Sequence, residues 1–176
     1  MNIHAKPYGP VMQVAYVVDD LQAAIDHWTT VIGVGPFLVL DGLQFTNGHY
    51  LGQPLDLQMT AAMAYSDGLQ IELIKQHDQA PTLFTQRRPA KGGVHHVAAM
   101  TDDLDASLAY LQARGGSCLQ GAQIPGGGRV AYVEVGGDAG ILELAELTPA
   151  TLALFDLIRS AAQTWDGQQQ IMNLPS

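Results

Sequence analysis

The sequence predicts an α+β fold made of two tandem βαβββ units followed by a C-terminal helix. Two observations carry that expectation. The chain states one pattern of strand, capped turn and amphipathic helix twice, and a glutamate recurs at the matching place in the last strand of each statement. With 176 residues, 47% of them hydrophobic and 14% charged, it is long enough to bury a substantial core.

Val11 to Val18 (VMQVAYVV) is a short apolar, β-branched run. Asp19-Asp20-Leu21 follows, and then Ala23, Ala24, Ile25, Trp28 and Ile32 recur at helical spacing. Val94 to Met100 repeats the run, Thr101-Asp102-Asp103-Leu104 repeats the turn, and Ala106, Leu108, Leu111 and Ala113 repeat the helix, which stops at Gly115-Gly116. Placing Asp19 on Asp102 gives an offset of 83 residues and brings Gln13 onto His96 and Gly33 onto Gly116. Strand-like stretches come after each helix: Phe37–Leu40, Leu57–Tyr65 and Leu69–Ile74 in the first half, Ser117–Gln120, Val130–Val135 and Ile141–Leu147 in the second.

The last strands align Glu72 with Glu143 at an offset of 71, so the first half carries about a dozen extra residues in its middle loops. Gly126-Gly127-Gly128 and Gly136-Gly137-Asp138 read as turns between strands, because no helix follows the triplet as a phosphate loop requires. Lys75 to Gly93 is polar, holds Pro81, Pro89 and Arg87-Arg88, and reads as a linker able to act as a flap. Pro149 to Asp166 has a helical pattern opened by Thr148-Pro149, and the last ten residues are polar and expected to fray. The expected organisation is a first unit at 11–75, a linker at 76–93, a second unit at 94–147 and a helix at 148–166, all fused into a single domain.

Eight basic residues against seventeen acidic ones, a net charge of −9, exclude a phosphate-neutralising face and hence sequence-independent nucleic-acid binding. A small molecule is the expected partner. Cys118 is the only cysteine, which rules out an intrachain disulfide and fits a reducing, cytoplasmic setting. Met1 to Pro10 lacks the basic-then-apolar layout of an export signal, and no 18-residue apolar stretch suggests a membrane span.

Gln13, Glu72, His96 and Glu143 each interrupt an apolar run at symmetry-related places. A single strand glutamate reads better as a solvent-facing residue; two at matching positions favour a shared cavity. Burying both without compensation costs several kcal/mol apiece, and the strand runs Leu69–Ile74 and Ile141–Leu147 contain no Lys or Arg to pair with them. A divalent cation resolves the charge, and this donor set suits Zn²⁺, Ni²⁺, Co²⁺, Mn²⁺ or Mg²⁺. By strand parity, Ala15 and Ala98 leave space beside these groups.

With these residues at these strand positions, the chain resembles the vicinal oxygen chelate superfamily (glyoxalase, bleomycin resistance and dioxygenase proteins), and within it the glyoxalase I-like and methylmalonyl-CoA epimerase-like members. The resemblance spans roughly residues 11 to 147. It implies a curled mixed β-sheet around a central cleft, with Gln13, Glu72, His96 and Glu143 holding the metal and His95 turned to the opposite face. It further implies a homodimer and a metal-dependent isomerase, epimerase or lyase that moves a proton next to a metal-bound carbonyl of a small, partly hydrophobic substrate. Glu143, with Glu72 on the other side, is the implied base.

The alternative is a metal-free hydrophobic ligand or drug-binding protein of the bleomycin-resistance type. An extradiol dioxygenase, which needs Fe held by two histidines and one carboxylate, ranks third because only one of the four positions is histidine. His49, Tyr50 and Tyr65 are further candidates for reaching the cavity, and Arg87, Arg88 and Lys91 form the only local basic cluster. Trp28 and His27 read as packing or surface residues of the first helix, and His77 as a solvated linker residue.

Overall fold

The computed structural model describes residues 6–136 and 140–174; Met1–Ala5 and the Gly137-Asp138 part of the expected turn lie outside these. The first half forms β1 (Val11–Val17), α1 (Leu21–His27), a π-helical turn (Trp28–Ile32), β2 (Leu38–Gln44), β3 (Thr46–Tyr50), β4 (Gln53–Leu55), β5 (Gln58–Ser66) and β6 (Leu69–Gln76). After α2 (Leu83–Gln86) come β7 (His96–Met100), α3 (Leu104–Gln112), β8 (Ser117–Gln123), β9 (Arg129–Glu134), β10 (Ile141–Glu146) and α4 (Pro149–Gln163).

The repeated Asp-Asp-Leu turns act as the sequence suggests. Asp20 accepts a hydrogen bond from the Ala23 N–H at 3.0 Å and Asp103 one from the Ala106 N–H at 2.9 Å, so both helices start on an aspartate N-cap. The first helix then widens into the π-helical turn and stops at Gly33, whose φ of 80° suits a residue without a side chain.

All ten strands join one curled mixed sheet in the order β2-β5-β6-β1-β7-β10-β9-β8-β3-β4. β1 pairs parallel with β6, and β7 pairs parallel with β10, while β1 and β7 meet antiparallel at a central seam. Strand alternation sorts residues between two buried faces. Ala62, Ala64, Ile71 and Leu73 pack under α1, and Ala131, Val133, Leu142 and Leu144 pack under α3. Their neighbours Ala61, Ile74, Val130, Tyr132, Ile141 and Ala145 form the inner core. Burial on both faces explains why these strands read as nearly continuous apolar runs.

Three expectations need correction. The extra residues of the first half are not loops: β3 and β4 form a hairpin that leaves its own half and adds to the edge of β8, with Tyr50 opposite Gln120 and His49 opposite Gly121. A Cβ at Gly121 would sit 2.7 Å from Cε1 of the His49 side chain, so glycine here lets that imidazole lie close over β8. The 76–93 linker is no exposed flap at its centre, because Leu83 and Phe84 are fully buried behind a Thr82–Thr85 capping box. The tail is docked, with Phe37 N–H donating to Gln170 O at 2.8 Å, Met172 N–H donating to Phe37 O at 2.9 Å, and the Trp165 ring against Gly35. Apolar Ile171 and Trp165 have surfaces to bury, which a composition count of the tail conceals.

α4 packs Phe155 and Ile158 against Leu38, Met63 and Tyr65 and forms one wall of the inner cavity. Among the described residues, no helix is long and apolar enough to cross a membrane.

Candidate metal centre

The strand register brings the predicted residues together on the inner face. Glu72, Ala15 and His96 lie side by side across β6, β1 and β7; Gln70, Gln13, Ala98 and Glu143 form the adjacent row across β6, β1, β7 and β10. In each half the glutamate thus sits opposite the alanine two residues beyond Gln13 or His96, and the two halves match in register. Alanines at the centre of both rows leave the space that the larger flanking side chains enter.

Glu72, His96 and Glu143 each direct one ligand atom into a cluster whose atoms all lie within 4.8 Å of one another, and all three residues are buried. His96 Nε2 is 2.9 Å from Glu143 Oε2 and 3.8 Å from Glu72 Oε2. Two donors each about 2.1 Å from a common divalent cation stand between roughly 3 Å and about 4.2 Å apart, so the two separations from His96 are near those of such a site. Gln13 borders the same cavity, and its Nε2 donates to Gln70 Oε1 at 2.6 Å, which leaves Gln13 Oε1 as an acceptor.

The electrostatics point the same way. Burial pushes the Glu72 carboxyl up to about 7, with Glu143 adding to the rise and His96 opposing it. Burial likewise pushes Glu143 up to about 8, against a lowering by hydrogen bonding from Tyr132. Burial holds His96 down at about 4 and His95 at about 4. His96 Nε2 and Glu143 Oε2 stand 2.9 Å apart, close enough that a shared proton or a cation must lie between them.

His95 corrects a further expectation, because it does not face away from His96. It precedes the regular strand, just after Gly92 and Gly93 with φ of 73° and 114°, and strict alternation does not reach it. Its Nδ1 lies 2.9 Å from His96 Nδ1, and its Nε2 lies 3.2 Å from the Leu83 carbonyl. A carbonyl only accepts, so His95 Nε2 carries the proton, its bare Nδ1 accepts from His96 Nδ1–H, and His96 Nε2 keeps its lone pair toward the carboxyls. The buried 76–93 segment therefore fixes the tautomer of the site histidine.

Tyr132 and Phe84 were not legible as site residues, whereas strand parity puts Gln70 on the same face as Glu72. Tyr132 stands opposite Glu143 in the β9–β10 ladder and packs edge-on against His96 at 5.2 Å; burial holds its hydroxyl protonated, well above the usual value. Phe84 packs against His95, His96 and Tyr132. A tyrosine opposite an aligned glutamate is a signal available only once strand pairing is known. His49, Tyr50 and Tyr65 do not line the cavity, although Tyr65 accepts from Gln70 at 3.2 Å and so supports the Gln13 amide from behind. Arg87 and Arg88 pair with Glu134 and Asp19 away from the site. His77 is half-exposed and bonded to Thr60.

Above the cluster opens a cavity of about 290 Å³. Gln13, Glu72, Glu143 and Tyr132 form its polar floor, and Leu43, Phe45, Met59, Ile124, Leu154 and Phe155 are among its apolar walls.

The family model described as the Glyoxalase/Bleomycin resistance protein/Dioxygenase superfamily matches residues 12–132. No curated protein matches in sequence. The fold is shared with methylmalonyl-CoA epimerase from Mycobacterium tuberculosis, at TM-score 0.58 and 16% identity over 86% of this chain and 96% of that one. A hypothetical protein from Bacillus halodurans gives 0.57 at 12% identity, covering 79% and 94%. A Streptomyces coelicolor methylmalonyl-CoA epimerase in complex with 2-nitronate-propionyl-CoA gives 0.53 at 18%, covering 81% and 96%.

Proposed function

The chain belongs to the glyoxalase/bleomycin resistance/dioxygenase superfamily, and from that premise we propose that it is a metal-dependent isomerase, epimerase or lyase that moves a proton next to a carbonyl group. The observation that carries this reading is the convergence of Glu72, His96 and Glu143 within 4.8 Å on the inner face of the sheet, with Gln13 beside them. A bound Zn²⁺, Ni²⁺, Co²⁺, Mn²⁺ or Mg²⁺ would supply Lewis-acid stabilisation of an enolate oxygen. Gln13, Glu72, His96 and Glu143 would hold it.

The remaining work falls to the chain's own groups. Glu143 takes the proton adjacent to the substrate carbonyl, since its buried carboxyl lies at the cavity floor among apolar walls rather than in water. Glu72, on the other side of the β1–β7 seam, can return a proton from the opposite face, which suits epimerisation. Tyr132 stays protonated and donates a hydrogen bond at the same floor. The apolar walls exclude water from the carbanion.

The test is elemental analysis of protein purified without added metal, with metal titration of wild type, His96→Ala and Glu143→Ala, followed by deuterium exchange into 2-oxo thiohemiacetals and α-branched acyl thioesters. About one Zn, Ni, Co or Mn per chain, lost in both variants, together with exchange at the α-carbon, is the expected result. Iron as the native ion would revive the ring-cleaving chemistry. Failure to take up any ion would sink the reading and leave a metal-free hydrophobic binder, which the apolar walls also support. A homodimer in the cytoplasm completes the proposal, consistent with the lone Cys118; sedimentation equilibrium tests the dimer.

A further inference from the structure

The cavity above the floor discriminates between substrate bodies. Gln13, Glu72, Glu143 and Tyr132 line its floor, while Leu43 and Phe45 from the β2 side, Ile124 and Pro125 from the β8–β9 turn, and Leu154 and Phe155 from α4 enclose the rest, with Thr151 the one polar side chain among them. At about 290 Å³ it stands near the lower end of small-molecule sites, about 300–1,000 Å³.

None of the eight Lys and Arg side chains lines this space. Six of the eight are engaged elsewhere: Arg87 with Glu134, Arg88 with Asp19, Arg129 with Glu146 and Asp105, Arg159 with Asp156, Arg114 with the Tyr110 carbonyl, and Lys6 with the Gly9 carbonyl. A net charge of −9 further opposes a polyphosphorylated carrier.

We infer that the site takes a carbonyl compound with a compact, uncharged, phosphate-free hydrocarbon body, and that α4 sets its length through Leu154 and Phe155. This rests on the proton-transfer reading for the role of the polar floor. It separates the chain from a thioester enzyme that grips a nucleotide carrier, because binding energy here comes from hydrocarbon against Leu, Phe and Ile rather than from charge pairing.

The experiment titrates ¹⁵N-labelled protein, as purified and with its metal content measured, with straight-chain 2-alkanones from four to ten carbons. S-hexanoyl-N-acetylcysteamine is compared with hexanoyl-CoA in 0.15 M salt. The dissociation constant should fall about threefold to fourfold per methylene until the cavity is full and then level off. Leu154→Ala should move that plateau to a longer chain, and Leu43→Ala probes the same end from the sheet side. Hexanoyl-CoA should bind no more tightly than the short thioester.

Affinity independent of chain length, or hexanoyl-CoA binding ten times tighter or more, overturns the inference, and the wild-type series alone decides it if a variant does not fold. The two readings fail separately. Protein that binds metal without chain-length dependence refutes the substrate class only, whereas a chain-length series in protein that takes up no metal refutes the proton-transfer reading and leaves the hydrocarbon site standing.

Discussion

The two βαβββ halves share their backbone plan, their aspartate caps and the register of their glutamates, yet they equip the floor differently. The first half offers Gln13, a neutral amide oxygen whose orientation depends on Gln70 and, behind it, Tyr65. The second offers His96, an imidazole whose lone pair is fixed by His95 and the Leu83 carbonyl. Equivalent positions thus carry donors of unequal strength, each aimed by a partner outside the cluster. Duplicated architecture supplies the positions, and the supporting residues decide what those positions can do.

The largest expected effect breaks the symmetry at the glutamates. Glu143→Gln should lower the rate of α-proton exchange by roughly 10²–10⁴-fold. Glu72→Gln should match it if both faces are used and fall well short if one base suffices. Equal, negligible effects of both changes would remove the carboxyls from the chemistry.

The next effect tests the aiming residues. His95→Phe should weaken metal binding by roughly 10–100-fold, while His95→Gln, able to accept from His96 and donate to Leu83 O, should keep most of it. Imidazole ¹⁵N shifts should report the Nδ1–H tautomer of His96 in the wild type and its loss in His95→Phe. An Nε2–H tautomer in the wild type would refute the assignment. Gln70→Leu makes the matching test on Gln13 and should cost less, since an amide is the weaker ligand.

A third comparison is pH dependence in chelator-treated protein. Glu72 and Glu143 keep protons up to about 7 and about 8 when folded but release them near 4.5 when unfolded, so their contribution falls as pH rises. His95 and His96, lowered from 6.5 to about 4, contribute with the opposite slope up to 6.5. The slopes offset one another between 4.5 and 6.5, and above 6.5 only the carboxyls act, so the melting temperature should drop from pH 6.5 to 8. Divalent metal should abolish the drop, and a flat or rising profile without metal contradicts the assigned protonation.

The smallest effect should be symmetric. Asp20→Ala and Asp103→Ala each remove one N-cap and should each cost about 1 kcal/mol by urea denaturation. Values differing by more than twofold would mean the two helices bear unequal shares of stability.

The caps, the paired glutamates and the His96 position were legible because each depends on a few neighbouring residues and a repeat that can be laid on itself. Tyr132 was not, since its importance comes from strand pairing between distant segments. The α2 segment was misread because two buried residues, Leu83 and Phe84, are diluted among polar neighbours. The β3–β4 hairpin has no counterpart in the second half, so the repeat was silent about it.

That hairpin also clasps the duplicated halves together. The chain passes from one half to the other along the 77–95 segment, but the halves are stitched a second time where β3 lies along β8. Cutting the connecting segment therefore leaves two pieces interlocked through both the β1–β7 seam and the borrowed edge strand. Protein nicked near Asp78–Ala80 should elute as a single species and part only in denaturant, and fragments expressed separately should reassemble as a complementing pair rather than as two free-standing modules.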